Sequence, residues 1–254
     1  MLITAYMDES GTHGSKTMLM AAFAGDITQW RKFEKKASAL LNKYGVNVFH
    51  AKKWRDGDGD FAGWSVDKKI NFLDRFGEIA NRHLLVGCHA VLKMDDYREY
   101  YLKDLDKPRE PINTPYGVCF RGVLSFMIQI AAKASTQDDP AQLNVVLEQG
   151  HKNAGDALRI FGLFKESLLQ EWRHLLGTMT FATKEQCLPL SAPDSIALGH
   201  WRQEEGYKAT MRPRGPMRSV ATYRHNHFRI GIEKRALEAL RRELLMTGER
   251  RLSR

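Results

Sequence analysis

The stretch LITAYMDESG, residues 2–11, places an apolar run of strand-forming residues directly before two acids and a glycine. A second apolar run, residues 17–24, follows the turn-like sequence SGTHG at residues 10–14. Two such runs around a turn predict an antiparallel hairpin, with Asp8 closing its first strand.

Downstream of the hairpin, apolar residues recur at helical spacing in some segments and as short continuous runs in others. We predict helices over residues 30–44 (capped by Thr28), 66–82, 116–134, 191–201 and 233–246, and one whose apolar face carries Leu158, Phe161, Phe164 and Leu168. We predict further strands over residues 84–92, 143–148 and 178–183. The order predicts one α/β domain over residues 1–254, with a helical insertion at about 27–82 and a basic C-terminal segment at about 206–254. Its mixed central sheet would combine the antiparallel hairpin with later parallel strands and carry helices on both faces.

Composition narrows the class of protein. The chain has 254 residues, 43% of them hydrophobic, which is ordinary for a globular protein and excludes disorder and collagen. Arg121, Gln129 and Lys133 interrupt the longest apolar stretch, so we expect a buried helix there rather than a membrane span. The three cysteines contain no CxxC pair, and the N-terminus does not resemble a secretory signal. A cytoplasmic protein without a membrane partner is the expectation.

Positive charge concentrates near the C-terminus. The net charge is +9, and residues 201–254 hold 14 Lys and Arg against 6 Asp and Glu. Aromatic residues lie between the basic ones, a pattern that suits phosphate contact and base stacking. We therefore predict nucleic-acid binding, to RNA or DNA, through Lys208, Arg212, Arg214, Arg218, Arg224 and Arg229. A solvated basic loop without a partner is the alternative.

Three acids stand where predicted strands or helices meet loops. Asp8 closes the first strand, Glu148 closes the run LNVVLE, and Asp194 begins a late helix. If the first and fourth strands are parallel neighbours, these carboxylates converge and suit Mg²⁺ or Mn²⁺, which take oxygen ligands and can hold a phosphodiester between two ions. Each also has a structural explanation, because Asp8 can serve the turn, Glu148 can be solvated, and Asp194 can form a capping box with Ser191.

The same positions resemble a known family. The segments DESG (8–11), FHAK (49–52), LNVVLE (143–148) and LPLSAPD (188–194) are similar in order and spacing to the RNase H-like proteins grouped as domain of unknown function 3800. The late element departs from that family's Leu-Gln-x-Ala-Asp pattern. The resemblance implies an RNase H-like fold and a metal-dependent nuclease, with Asp8, Glu148 and Asp194 as the acidic positions and a context of antiviral defence or mobile elements.

Other candidates surround these acids. His50 could carry a proton and Lys52 could stabilise charge on a scissile phosphate. Residues 112–134 contain no acid, so Glu9 could supply a fourth metal ligand if the chain turns directly after Asp8. His225 and His227 stand one residue apart among arginines, where phosphate contact suits them better than a cation.

The residues together predict a nuclease that cleaves RNA or DNA with Mg²⁺ or Mn²⁺. The alternative is a catalytically inactive RNase H-like protein that binds nucleic acid or assembles an effector. The acid-free helix and the altered element before Asp194 favour that alternative. A protein partner is conceivable but nothing in the sequence identifies one.

Overall fold

A computed structural model describes residues 1–11, 14–103, 105, 112–150, 152–205 and 227–250. Its centre is a six-stranded sheet in the order β5-β4-β1-β2-β3-β6. The strands are β1 (Leu2–Ser10), β2 (Thr17–Asp26), β3 (Val86–Lys93), β4 (Gln142–Glu148), β5 (Leu176–Ala182) and β6 (His227–Ile232). The mixed α/β class predicted from the sequence is confirmed.

Strand pairing contains the predicted antiparallel hairpin and three later parallel strands, but β3 differs from the prediction because it pairs antiparallel with β2. β1, β2 and β3 are antiparallel neighbours, whereas β4 adds parallel to β1 and β5 adds parallel to β4. β6 adds parallel to β3 at the other edge. β1 and β4 are therefore central parallel neighbours, so their carboxyl ends open at the same edge of the sheet.

In the described part of the chain, eight helices surround the sheet, together with short 3-10 turns. They are α1 (Ile27–Tyr44), α2 (Ala51–Asp56), α3 (Val66–His83), α4 (Met94–Asp96, continued by a π turn over Tyr97–Leu102), α5 (Pro115–Ala134), α6 (Ala154–Ser167), α7 (Ser191–Glu204) and α8 (Lys234–Arg250). One face of the sheet packs against α1, α3 and α7, and the other packs against α5, α6 and α8. Helices therefore cover both faces, as predicted.

Alternation along the strands decides which side chains meet each layer of helices. In β1, Ile3, Ala5 and Met7 are buried in the core with α5, so the even-numbered residues point to the layer that contains α7. The α7 layer also contains an aromatic cluster in which Phe49 contacts Phe72 and Phe76. These aromatic contacts pack the helical insertion against the sheet. They also bring the chain around residue 50 close to the start of α7.

Three further details differ from the sequence predictions. Asp26, not Thr28, caps α1, because its carboxylate accepts from the backbone N–H of Gln29 at 2.8 Å in a capping box. Leu158 is exposed on α6, since the buried positions of that helix are Ala157, Ile160 and Phe161. β6 was not predicted, because its apolar residues are few and its pairing partner is distant in sequence.

α5 is long and apolar enough to pass for a membrane span by length and composition. Ten of its residues are buried, and they pack against the sheet in the same core as Met18 and Met20. Its apolar character is accounted for by this position in the protein core.

Candidate active site

Sheet register places Asp8 and Glu148 side by side. Met7 of β1 pairs with Leu147 of β4, and both are buried on the α5 side of the sheet. Asp8 and Glu148, one residue further along each strand, therefore point together to the α7 side. Asp8 is 3% exposed, which is low for an acid and requires charge partners.

Asp194 approaches the same point from the first turn of α7. Its Oδ2 accepts the backbone N–H of Ala51 at 2.9 Å, at the start of α2. Ser191 does not form the capping box considered from the sequence, because its hydroxyl donates to the carbonyl of Phe49 at 3.1 Å and α7 has no side-chain cap bond. The structure thus joins the FHAK segment to the late element and leaves the Asp194 carboxylate directed at the sheet edge.

Lys184 lies at the centre of the three acids. Its Nζ is 2.9 Å from Oδ2 of Asp8, 2.7 Å from Oε2 of Glu148 and 3.1 Å from Oδ2 of Asp194. The lysine side chain is 5% exposed, whereas that of Glu148 is 30% exposed and marks the side open to solvent. We call Asp8, Glu148, Asp194 and Lys184 the carboxylate cluster.

Sequence reasoning missed Lys184. It stands two residues beyond β5, and β5 pairs with β4 so that Ala182 lies beside Glu148. The only signal in the sequence is a lysine shortly after a predicted strand end, which is common in surface loops. Because β5 pairs in parallel with β4, the residues that follow β5 lie next to the end of β4, and Lys184 therefore reaches the acids.

The electrostatics of the cluster show an excess of negative charge. Burial and the neighbouring acids raise the pKa of Asp8 well above its usual range, although Lys184 opposes the shift. Burial on its own lowers the pKa of the Lys184 ammonium, but the three carboxylates outweigh that effect and raise it. Three carboxylates around one ammonium leave two negative charges unbalanced, and this excess acts in the same direction as burial on the pKa of Asp8.

The donor set fits a divalent cation. Oδ2 of Asp8 is buried and has no hydrogen-bond partner among the described residues, although it lies within ion-pair distance of Lys184. The ammonium shows that the three carboxylates can share one cation. Mg²⁺ and Mn²⁺ prefer such oxygen ligands, and two positive charges would offset the excess that raises the pKa of Asp8.

His50 and Lys52 flank the cluster in different ways. His50 occupies the N-cap position of α2 without a side-chain cap hydrogen bond, and its Nε2 lies 3.2 Å from Oε1 of Glu185, the residue after Lys184. This contact holds the imidazole beside the residue that follows Lys184. Lys52 is exposed on the first turn of α2.

Glu9 does not join the other acids. β1 continues to Ser10, and Glu9 pairs with Met20 of β2, so the chain does not turn directly after Asp8. Strand alternation then places Glu9 on the α5 side, away from the cluster. The condition under which Glu9 could be a metal ligand is not met.

The predicted nucleic-acid contacts fall almost entirely outside the described residues. Five of the six basic residues do so, namely Lys208, Arg212, Arg214, Arg218 and Arg224. Arg229 lies in β6, where its guanidinium forms an ion pair with Glu204 at 2.9 Å. That pairing competes with phosphate contact, so Arg229 is a weaker candidate than its sequence context indicates.

No protein-family model matches the chain, and no curated protein matches it. The chemistry of the carboxylate cluster is therefore inferred from its own side chains.

Proposed function

We propose that this protein is a divalent-metal-dependent nuclease of RNase H-like architecture that hydrolyses phosphodiester bonds of RNA or DNA. One observation carries the proposal: Asp8, Glu148 and Asp194, from two parallel strands and a helix, all lie within 3.1 Å of a single cationic atom. Carboxylates that converge on a cation at the carboxyl ends of central strands suit phosphodiester chemistry.

The proposal assigns a role to each group. Asp8, Glu148 and Asp194 would hold Mg²⁺ or Mn²⁺, and when bound such a cation polarises the phosphodiester and lowers the pKa of water. Lys184 keeps the acids together in the metal-free protein. His50, which contacts Glu185 next to Lys184, would exchange a proton with the substrate. Glu148 forms the solvent-exposed side through which the nucleic-acid strand would enter.

A second candidate is supported by Lys184 itself. A buried ammonium already pairs with all three acids, and a structural ion-pair network of this kind needs no metal. In that case the chain would be a catalytically inactive RNase H-like protein that binds nucleic acid or assembles an effector. The two candidates differ in whether a divalent cation can enter the cluster in competition with the ammonium.

A cleavage assay separates them. Fluorescent single- and double-stranded RNA and DNA are incubated with the protein in Mg²⁺, in Mn²⁺ and in EDTA. The nuclease proposal expects metal-dependent cleavage that Asp8→Asn reduces at least about 100-fold, since loss of a ligand removes several kcal/mol of transition-state stabilisation. Asp67→Asn, which changes an exposed acid in the first turn of α3, is the matched control and should retain cleavage.

Two results would count against catalysis. Cleavage that survives Asp8→Asn, or that proceeds equally in EDTA, contradicts a role for the carboxylate cluster. Salt-sensitive binding of the nucleic acids without cleavage in either metal supports the inactive binding protein.

A further inference from the structure

Three histidines meet at the opposite end of α7 from Asp194. His89 lies in β3, His200 in the second half of α7, and His227 at the start of β6. Their rings are stacked, with planes that differ by 10–17°. The ring centroids are 3.8 Å apart for His89 and His200, and 5.0 Å apart for His89 and His227. Tertiary structure thus joins residues from three separate elements, which we call the histidine cluster.

The distances between nitrogen atoms of different rings in this cluster are close to those between the ligands of one metal ion. One nitrogen of each ring lies within 4.8 Å of one nitrogen of each of the other two. Nδ1 of His89 and Nε2 of His227 are 2.8 Å apart, close enough to share a proton. Tetrahedral zinc with Zn–N bonds of about 2.0–2.1 Å holds its ligand nitrogens about 3.3 Å apart. Binding of one ion by all three rings therefore requires them to rotate out of the stacked arrangement until one nitrogen of each ring faces a common point.

Two of the ring nitrogens lack partners. Nε2 of His89 and Nε2 of His200 are buried without a hydrogen bond among the described residues, and His89 is only 2% exposed. Buried polar atoms are normally satisfied, so two orphaned nitrogens in one cluster point to a ligand.

The charged groups around the cluster do not exclude a cation. The guanidinium of Arg229 is held by Glu204 at 2.9 Å, and the ammonium of Lys93 is held by the same carboxylate at 2.9 Å. Glu204 thus offsets one of these two positive charges beside His200. The sequence-based objection that arginines would repel a cation is weakened at Arg229.

The lack of a side chain at Gly87 leaves room for the imidazole of His227. Gly87 pairs with His227 across β3 and β6, and a Cβ added at Gly87 would lie 2.5 Å from Nδ1 of His227. A side chain at residue 87 would therefore displace the imidazole from the cluster.

We propose that His89, His200 and His227 form a binding site for a borderline divalent transition metal, Zn²⁺ in the first instance, that ties β6 and α7 to β3. Imidazole nitrogens suit Zn²⁺, whereas Mg²⁺ prefers oxygen ligands. This site is therefore chemically distinct from the carboxylate cluster and does not depend on the nuclease proposal. Three histidines leave a fourth position for water or another ligand.

The test titrates the untagged, metal-free chain with Co²⁺, a spectroscopic substitute for Zn²⁺, and measures the bound metal after dialysis against Zn²⁺. The expected result is one equivalent of tightly bound metal with the visible absorption of a four-coordinate, nitrogen-ligated Co²⁺. His200→Gln should weaken metal binding at least about 100-fold. Loss of a residue that only orients a metal ligand weakens metal affinity by up to about 100-fold, and loss of the ligand itself should weaken it at least as much. His174→Gln, at an exposed histidine in a 3-10 turn, is the matched control.

Asp8→Asn separates the two sites and should leave the absorption unchanged. If His200→Gln fails to fold by circular dichroism, His227→Gln at the edge strand replaces it. The proposal is overturned if the wild-type chain binds no Co²⁺ or Zn²⁺ with nitrogen-type absorption. It is also overturned if His200→Gln retains wild-type affinity, or if Asp8→Asn abolishes the signal.

Discussion

Lys184→Met tests the electrostatics of the carboxylate cluster most directly. Methionine keeps a long apolar stem in place of the lysine methylenes, so the change removes the charge with little change in packing. The side chain is 5% exposed and contacts carboxylates whose side chains are 4%, 12% and 30% exposed. Removing one partner of such a buried pair leaves uncompensated charge and costs about 3–5 kcal/mol of unfolding free energy.

The control is Lys234→Met in α8. Lys234 lies 3.9 Å from Glu238, and the two side chains are 61% and 45% exposed. Exposed ion pairs between residues four apart on a helix contribute about 0.3–0.5 kcal/mol to the free energy of unfolding. The comparison therefore separates loss of a buried ammonium from loss of any lysine.

Urea unfolding in EDTA and in excess Mn²⁺ measures both effects. In EDTA, Lys184→Met should lose about 3–5 kcal/mol and Lys234→Met less than about 1 kcal/mol. Mn²⁺ at about 100 times its dissociation constant adds about 2.7 kcal/mol to a chain that binds it when folded. At one Mn²⁺ concentration used for both chains, the gain should be larger in Lys184→Met than in wild type, because no ammonium competes for the acids and the dissociation constant for Mn²⁺ is therefore lower. A loss in EDTA no larger than that of the control, or an equal gain from Mn²⁺ in both chains, would refute the reasoning.

Two further predictions concern acid ionisation and charge. Burial raises the pKa of Asp8, so the folded chain holds that proton more tightly than the unfolded chain, and metal-free wild type should lose stability as pH rises through the raised value. Asp8→Asn should therefore be about 1 kcal/mol more stable than wild type at alkaline pH in EDTA, with the difference vanishing near pH 3, as thermal melts across pH would show. Replacing Lys208, Arg212 and Arg214 with Gln should reduce the salt dependence of nucleic-acid binding by up to about three slope units in a fluorescence anisotropy titration, whereas an unchanged slope would show that these residues make no phosphate contacts.

Local patterns account for much of the fold. The run that ends in Asp8, the turn after it and the second apolar run predict the hairpin, because alternation and turn chemistry act over a few neighbouring residues. The same reasoning predicts β4 and α5 from continuous apolar stretches. It fails at the cap of α1 and at β6, where a competing acid and a distant pairing partner decide the outcome.

The sequence by itself determined the α/β class, the order of its main elements and the three acids that form one candidate metal site. Only the tertiary structure decided that Lys184 sits among those acids, that Glu9 faces away from them, and that His89, His200 and His227 share one cluster. The physical reason is the sequence separation over which each kind of interaction acts. Helix and strand periods are set by neighbouring residues, whereas charge compensation and ligand geometry depend on strand register and helix packing between residues far apart in the chain.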